Sequence, residues 1–162
     1  MYTRVLVPLD GSELAEAILP FAEQVAGPLD AEVVLLRVVE PILPAEAIAS
    51  AGVVTPDSLA LRELDGKRYL SQVERRLSKK ALRVRTRVTL GPPAEAILAT
   101  ARTTGADLIA MATHGRSGLG RVLFGSVAEA VLRASPVPVL LIRNAAKTDE
   151  RTGHGAPPGQ RA

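Results

Sequence analysis

The chain has 162 residues, enough for one domain with a real core, and 47% of them are apolar, too many for a disordered polymer. Only 2% are aromatic, so that core must be built from Val, Leu, Ile and Ala. Cysteine is absent, which excludes disulfides, thiol catalysis and thiolate-held metals, and no apolar run nears the roughly 20 residues that span a bilayer. The N-terminus enters a strand pattern, Tyr2 to Leu9, without a charged leader, so a cytoplasmic protein is expected.

The net charge of +3 is a mild excess. Its one dense stretch, Arg75 to Arg87, holds seven Lys or Arg residues with no interleaved aromatics for base stacking. It therefore reads as a solvated helix end followed by a charged edge strand, and not as a nucleic-acid surface.

Apolar runs alternate with helical periodicity along the chain. The first strand is Arg4 to Leu9. Asp10-Gly11-Ser12 follows as a turn and helix cap. The next helix places Leu14, Ile18, Phe21, Ala22 and Val25 on one face, with a kink expected at Pro20 and an end at Gly27-Pro28. The second strand, Glu32 to Val39, is apolar on both faces through Val33-Val34-Leu35-Leu36, as a buried parallel strand requires. Residues 41–56 lack a period and read as a mobile loop with a short helical turn.

A helix over Asp57 to Lys80 turns Leu70, Val73 and Leu77 inward, and Gly66 weakens its middle. The third strand, Arg83 to Leu90, alternates Val84, Thr86 and Val88 with Arg83, Arg85 and Arg87, a pattern suited to a protected sheet edge. Gly91-Pro92-Pro93 opens a helix that Gly105 closes, and the fourth strand is Ala106 to Ala112. A glycine-rich loop, Thr113 to Gly125, leads to a helix over Ser126 to Ala134 and a fifth strand over Val137 to Arg143. Beyond Asn144 nothing apolar remains, so residues 1–144 form the domain. Residues 145–162 read as a disordered tail whose removal should leave folding intact. The order predicts an α/β fold: a doubly wound, five-stranded parallel sheet with helices on both faces.

Chemistry concentrates in two loops at the carboxyl ends of strands, where such sheets bind ligands. Asp10-Gly11-Ser12 is one. The other reads Thr113-His114-Gly115-Arg116-Ser117-Gly118-Leu119-Gly120-Arg121-Val122-Leu123-Phe124-Gly125-Ser126. Its glycines, Gly118 among them, free backbone N–H groups to surround an anion, and Arg116 and Arg121 add charge. Ser126 is expected to cap the following helix, with Glu129 completing a capping box and the helix N-terminus favouring phosphate. The loop lacks the Gly-Lys-Ser/Thr of a Walker A sequence.

Gly115, nine further residues and then Gly125-Ser126 resemble the phosphate signature of the ATP-binding universal stress proteins. In that signature a glycine and two residues precede the second glycine. Val5-Leu6-Val7-Pro8-Leu9-Asp10-Gly11-Ser12, Gly91-Pro92-Pro93-Ala94-Glu95-Ala96-Ile97 and Ser135-Pro136-Val137-Pro138-Val139-Leu140 resemble further family segments. The resemblance covers about residues 1 to 144. It implies a Rossmann-like fold of the adenine nucleotide alpha hydrolase type.

The resemblance also implies a site. Asp10 would lie near the ribose or the metal-bound phosphates, with Pro8 and Ser12 shaping that edge. Val38 and Met111 would pack on adenine, and Gly115, Gly125, Ser126 and Val127 would cradle the phosphates. His114 is expected to order its loop through a hydrogen bond and carries no catalytic role. Ala112 stands where the signature begins with glycine, and a methyl group there would crowd the ligand or bar a positive φ. The implied cofactor is ATP with Mg (or Mn) held mainly by the phosphates, in a homodimer paired through residues 137–143.

Two other readings stay open. A member that has lost nucleotide would act as a dimeric partner-binding module, and Ala112 keeps that alternative alive. A slow ATP-hydrolysing enzyme is the second. Related nucleotidyl transferases share the architecture, but no paired carboxylates flank the loop and no His-x-x-His motif follows the first strand.

Overall fold

The computed structural model describes residues 1–41, 56–114 and 125–144. The expectations for a loop over residues 42–55, for residues 115–124 and for a tail over residues 145–162 lie outside these. In chain order the described elements are β1 (Arg4–Pro8), α1 (Glu13–Glu16), α2 (Leu19–Leu29), β2 (Glu32–Val39), α3 (Pro56–Ser78), β3 (Val84–Leu90), α4 (Pro93–Thr104), β4 (Leu108–His114), α5 (Ser126–Ala134) and β5 (Val139–Asn144).

The five strands form one parallel sheet in the order β3-β2-β1-β4-β5. Strand alternation sends side chains to two separate cores. Val5, Val7, Val33, Leu35 and Ala110 face α2 and α3, meeting Ile18, Leu19, Ala22, Leu70, Val73 and Leu77. Leu6, Val34, Leu36, Ile109 and Met111 face α4 and α5, meeting Ile97, Leu98, Ala101, Ala128 and Val131. Helices thus cover both faces, and the winding reverses between β1 and β4. These two strands pair only at Val5–Leu108 and Leu6–Ile109, so their carboxyl ends diverge. That divergence opens a crevice at the switch point, where parallel sheets receive ligands.

Three local expectations are corrected. The first helix does not merely kink at Pro20 but breaks: α1 stops at Glu16, and α2 restarts with Pro20 in its first turn, where the missing N–H costs nothing. The restart changes the helical phase, so Ile18, Leu19, Ala22 and Ala26 are buried while Phe21 is 45% exposed. Nor does Gly27-Pro28 end α2. The helix runs through Pro28 to Leu29 and closes on Asp30 in the left-handed region, φ 49°, whose amide reaches back to the Ala26 and Gly27 carbonyls.

The basic stretch is largely neutralised within the chain. Arg76 pairs with Glu16 (2.5 Å), Lys80 with Glu23 (2.6 Å), Arg83 with Asp30 (3.2 Å) and Arg85 with Glu32 (3.3 Å). β3 is a sheet edge, as its alternating arginines require. Among the described residues no helix is long and apolar enough to cross a membrane.

Candidate functional site

The turn after β1 is built by its own side chains. Gly11 takes φ 87°, open to glycine and strained for any other residue here. The Ser12 amide and hydroxyl donate to Asp10 Oδ1 at 2.9 and 2.6 Å, and the Ala15 amide donates to Ser12 Oγ at 3.1 Å. Ser12 therefore caps α1 and fixes the Asp10 carboxylate together. Burial favours the neutral acid, but these hydrogen bonds and the neighbouring Arg37 charge outweigh it, and Asp10 sits below its ordinary pKa of 3.8.

On the other side of the crevice, Thr113 is buried near the end of β4, and its Oγ1 accepts the Gly125 amide at 3.1 Å. That bond ties the start of α5 to the sheet. The expected cap is not made. Ser126 is the first residue of α5, Gly125 occupies the cap position, and among the described residues no side chain accepts from the first turn. Glu129 donates its amide to the Gly125 carbonyl at 2.9 Å and turns its carboxylate to Arg133 at 2.7 Å. The N-terminal amides of α5 are left without a side-chain acceptor among the described residues, and Gly125, Ser126 and Val127 line the crevice.

The resulting cleft holds about 820 Å³, within the usual size for small-molecule sites. It gathers Pro8, Asp10, Val38, Met111, Ala112, Gly125, Ser126 and Val127 from four separate stretches of chain. Ser12 stands behind Asp10. The side chain of His114, and all of Gly115, Arg116 and Gly118, lie outside the described residues. Ala112 is an ordinary extended position paired with Ile142, so nothing there demands a positive φ, and its methyl group packs with Ala15 against the core beneath α1 and α2.

The sequence reading missed part of the lining. Arg37, Arg62, Asp65, Gly66 and Tyr69 form a wall from β2 and α3, and Ile97 adds to the apolar side. Only Arg37 left a trace, as a lone charge inside an apolar strand. Tyr69 donates its hydroxyl to Glu16 Oε1 at 2.9 Å, while Arg76 holds Oε2 at 2.5 Å. Burial, then the bond to Glu16 and the negative charges of Glu16 and Asp10, push the Tyr69 phenol far above its usual range. Among the described residues no cluster of acidic or histidine side chains is able to hold a metal ion on its own.

The sequence pattern of the universal stress protein family matches residues 1–143. The chain belongs to that family. Universal stress protein MJ0531 of Methanocaldococcus jannaschii is 33% identical over 147 residues, covering 91% of this chain and 85% of that protein. The solved structure of MJ0577, from the same archaeon, is 28% identical and covers 90% of this chain and 98% of its own, with a TM-score of 0.73. A universal stress protein from Burkholderia pseudomallei is 32% identical, covers 87% of this chain and 96% of its own, and gives a TM-score of 0.66.

Proposed function

We propose that this universal stress protein binds an adenine nucleotide, ATP with a divalent ion, as a regulatory ligand, and that it does so as a homodimer joined through β5. The observation that carries the reading is Gly125. Its backbone, φ −59° and ψ 151°, suits any residue, and among the described residues a Cβ built on it would meet only Thr113 Oγ1, 3.8 Å away. The described residues therefore give no reason for glycine at this point, whereas a ligand seated on the α5 amides does. The surrounding chemistry fits a nucleotide. Val38, Met111 and Ile97 offer an apolar wall for a base, and the uncapped start of α5 suits phosphate. Asp10, held ionised by Ser12, suits ribose hydroxyls or a phosphate-bound cation.

In this reading Val38 and Met111 hold the base, Asp10 orients the sugar side, and Gly125, Ser126 and Val127 receive the phosphates. The bound nucleotide supplies charge and binding energy that bias the surface around the cleft toward the form a protein partner reads. Turnover is slow at most. Asp10 is a weak general base because Ser12 engages its Oδ1 and its acidity is raised, and no lysine stands in the cleft lining among the described residues.

Calorimetry with Mg-ATP tests the reading. Wild type should bind, Gly125→Ala should fold normally, and Gly125→Leu should lose binding. Full binding by Gly125→Leu would place the site elsewhere. A purified, contaminant-free steady-state ATPase rate on the order of 10 per second would make the protein an enzyme instead. Native mass spectrometry of the protein as purified identifies the ligand directly.

A further inference from the structure

The cleft has a second half that the roles above leave idle. Val38, Met111 and Val127 belong to the α4–α5 face of the sheet. Across the strand ends, on the other face, the lining is Leu14, Arg37, Arg62, Asp65 and Tyr69. Strand alternation puts Arg37 on the same face as Val33 and Leu35, toward α3.

Its path there is prepared. Gly66 is buried in the middle of the 23-residue α3, where glycine costs about 1 kcal/mol relative to alanine. A Cβ on Gly66 would stand 3.0 Å from Arg37 Cγ and 3.6 Å from both methyl groups of Val88. The missing side chain leaves a notch, and the stem of Arg37 lies in it. Arg62, one helical turn earlier on α3, lines the same half. Arg4, Arg76, Lys80, Arg83 and Arg85 all have carboxylate partners, whereas no ion pair among the described residues engages Arg37 or Arg62. Asp10 is near enough to feel the Arg37 charge, but no ion pair joins the two.

We propose that Arg37, seated in the Gly66 notch and supported by Arg62, is a specificity-determining residue that takes a terminal phosphate group of the bound nucleotide on the α3 side of the sheet edge. The proposal rests on the nucleotide reading of the same cleft. Two guanidinium groups suit a phosphate because their planar N–H forks match its oxygens. The group comes from one of two sources: the far end of the 5′ phosphate chain, or a phosphate on a ribose hydroxyl beside Asp10.

Calorimetry on wild type, Arg37→Met, Gly66→Ala and the double variant, with adenosine, ATP, 2′,5′-ADP and 3′,5′-ADP, tests it. Arg37→Met keeps the stem and should weaken a phosphorylated ligand by about tenfold or more, the loss of a charge-assisted hydrogen bond, while adenosine is unchanged. A loss on ATP assigns the phosphate chain, and a loss confined to the bisphosphates assigns the ribose phosphate. Gly66→Ala should give a smaller loss that disappears in the Arg37→Met background. Arg37→Lys, which keeps the charge without the fork, should fall between, and thermal unfolding checks that each variant is folded. Equal affinity of wild type and Arg37→Met for every phosphorylated ligand overturns the proposal and leaves the nucleotide reading standing. So does a loss that includes adenosine to the same degree. Failure of wild type to bind any of the four ligands overturns both.

Discussion

Ser12 does three jobs with one side chain and its amide: it caps α1, holds Asp10 and shapes the turn with Gly11. Ser12→Ala should cost about 1 kcal/mol of stability, the usual value of a lost cap, and let the Asp10 pKa rise, which a carboxylate titration by NMR would detect. A second fixed acid lies at the opposite end of the sheet. Asp107 accepts the Thr3 amide (2.8 Å), the Thr3 hydroxyl (2.7 Å) and the Arg4 amide (3.0 Å), and although burial opposes ionisation, these donors lower its pKa. For Asp10 and Asp107 the folded pKa lies below the unfolded value near 3.8. Their contribution is therefore fully present above that value and is lost as pH falls through the folded pKa. Urea unfolding from about pH 6 to about pH 3 should show falling stability with acid, and Asp107→Asn should flatten the slope. An unchanged slope would remove Asp107 from the account. At this scale the turn chemistry of Asp10 and Ser12 was legible in the sequence, while Val38, Met111 and Gly125 were expected from the family resemblance and line the same cleft as Asp10. It did not disclose Thr113 or Tyr69, whose partners lie 12 and 53 residues away.

Elements were read best where the apolar signal is continuous. The buried runs of β1, β2 and β4 announce themselves because both faces need cover. The α1–α2 break was half visible. Pro20 marked the place, but whether a helix bends or restarts depends on what Glu16 and Ile18 find around them, and that is tertiary. The α5 cap was misplaced by one residue because Gly125 and Ser126 both suit a cap, and the bond from Gly125 to Thr113 decides between them. A strained link offers a test. Ala81, exposed after the end of α3, takes φ 59°, a conformation that costs an L-residue roughly 1–2 kcal/mol. Ala81→Gly should raise stability by about 1 kcal/mol, and so the melting temperature by about 2–4 °C. A fall would mean that the extra freedom of glycine in the unfolded chain dominates. The reverse holds at Gly105, the α4 cap at φ 67°. There an added Cβ would stand 3.3 Å from Arg4 Nη1, and Gly105→Ala should lose about 1 kcal/mol or more.

At the scale of the whole molecule, the two sheet edges differ in kind. β3 presents exposed Arg83, Arg85 and Arg87, the first two ion-paired to Asp30 and Glu32. β5 presents Val139, Leu140, Leu141 and Ile142, all only half-buried although they pack toward both cores. Such an edge invites a partner strand. A second copy related by a two-fold axis would cover both at once. Val139→Lys or Leu141→Lys should then give monomers or precipitate in light scattering, while the unmodified protein runs as a dimer. A monomeric unmodified protein at micromolar concentration would reject the interface. The two edges were readable from the sequence because charge and apolarity sort along each strand. The second, polar half of the cleft was not, since it exists only when α3 lies over β2.

The scarcity of aromatics gives the protein a built-in optical reporter. There is no tryptophan, and the two tyrosines are Tyr2 and Tyr69. Tyr69 stands in the wall of the cleft with its hydroxyl on Glu16, and a carboxylate acceptor quenches phenol emission. A ligand that enters the α3 side and disturbs that bond would brighten the intrinsic fluorescence without any label. Comparison with a Tyr2→Phe variant would leave Tyr69 as the sole emitter.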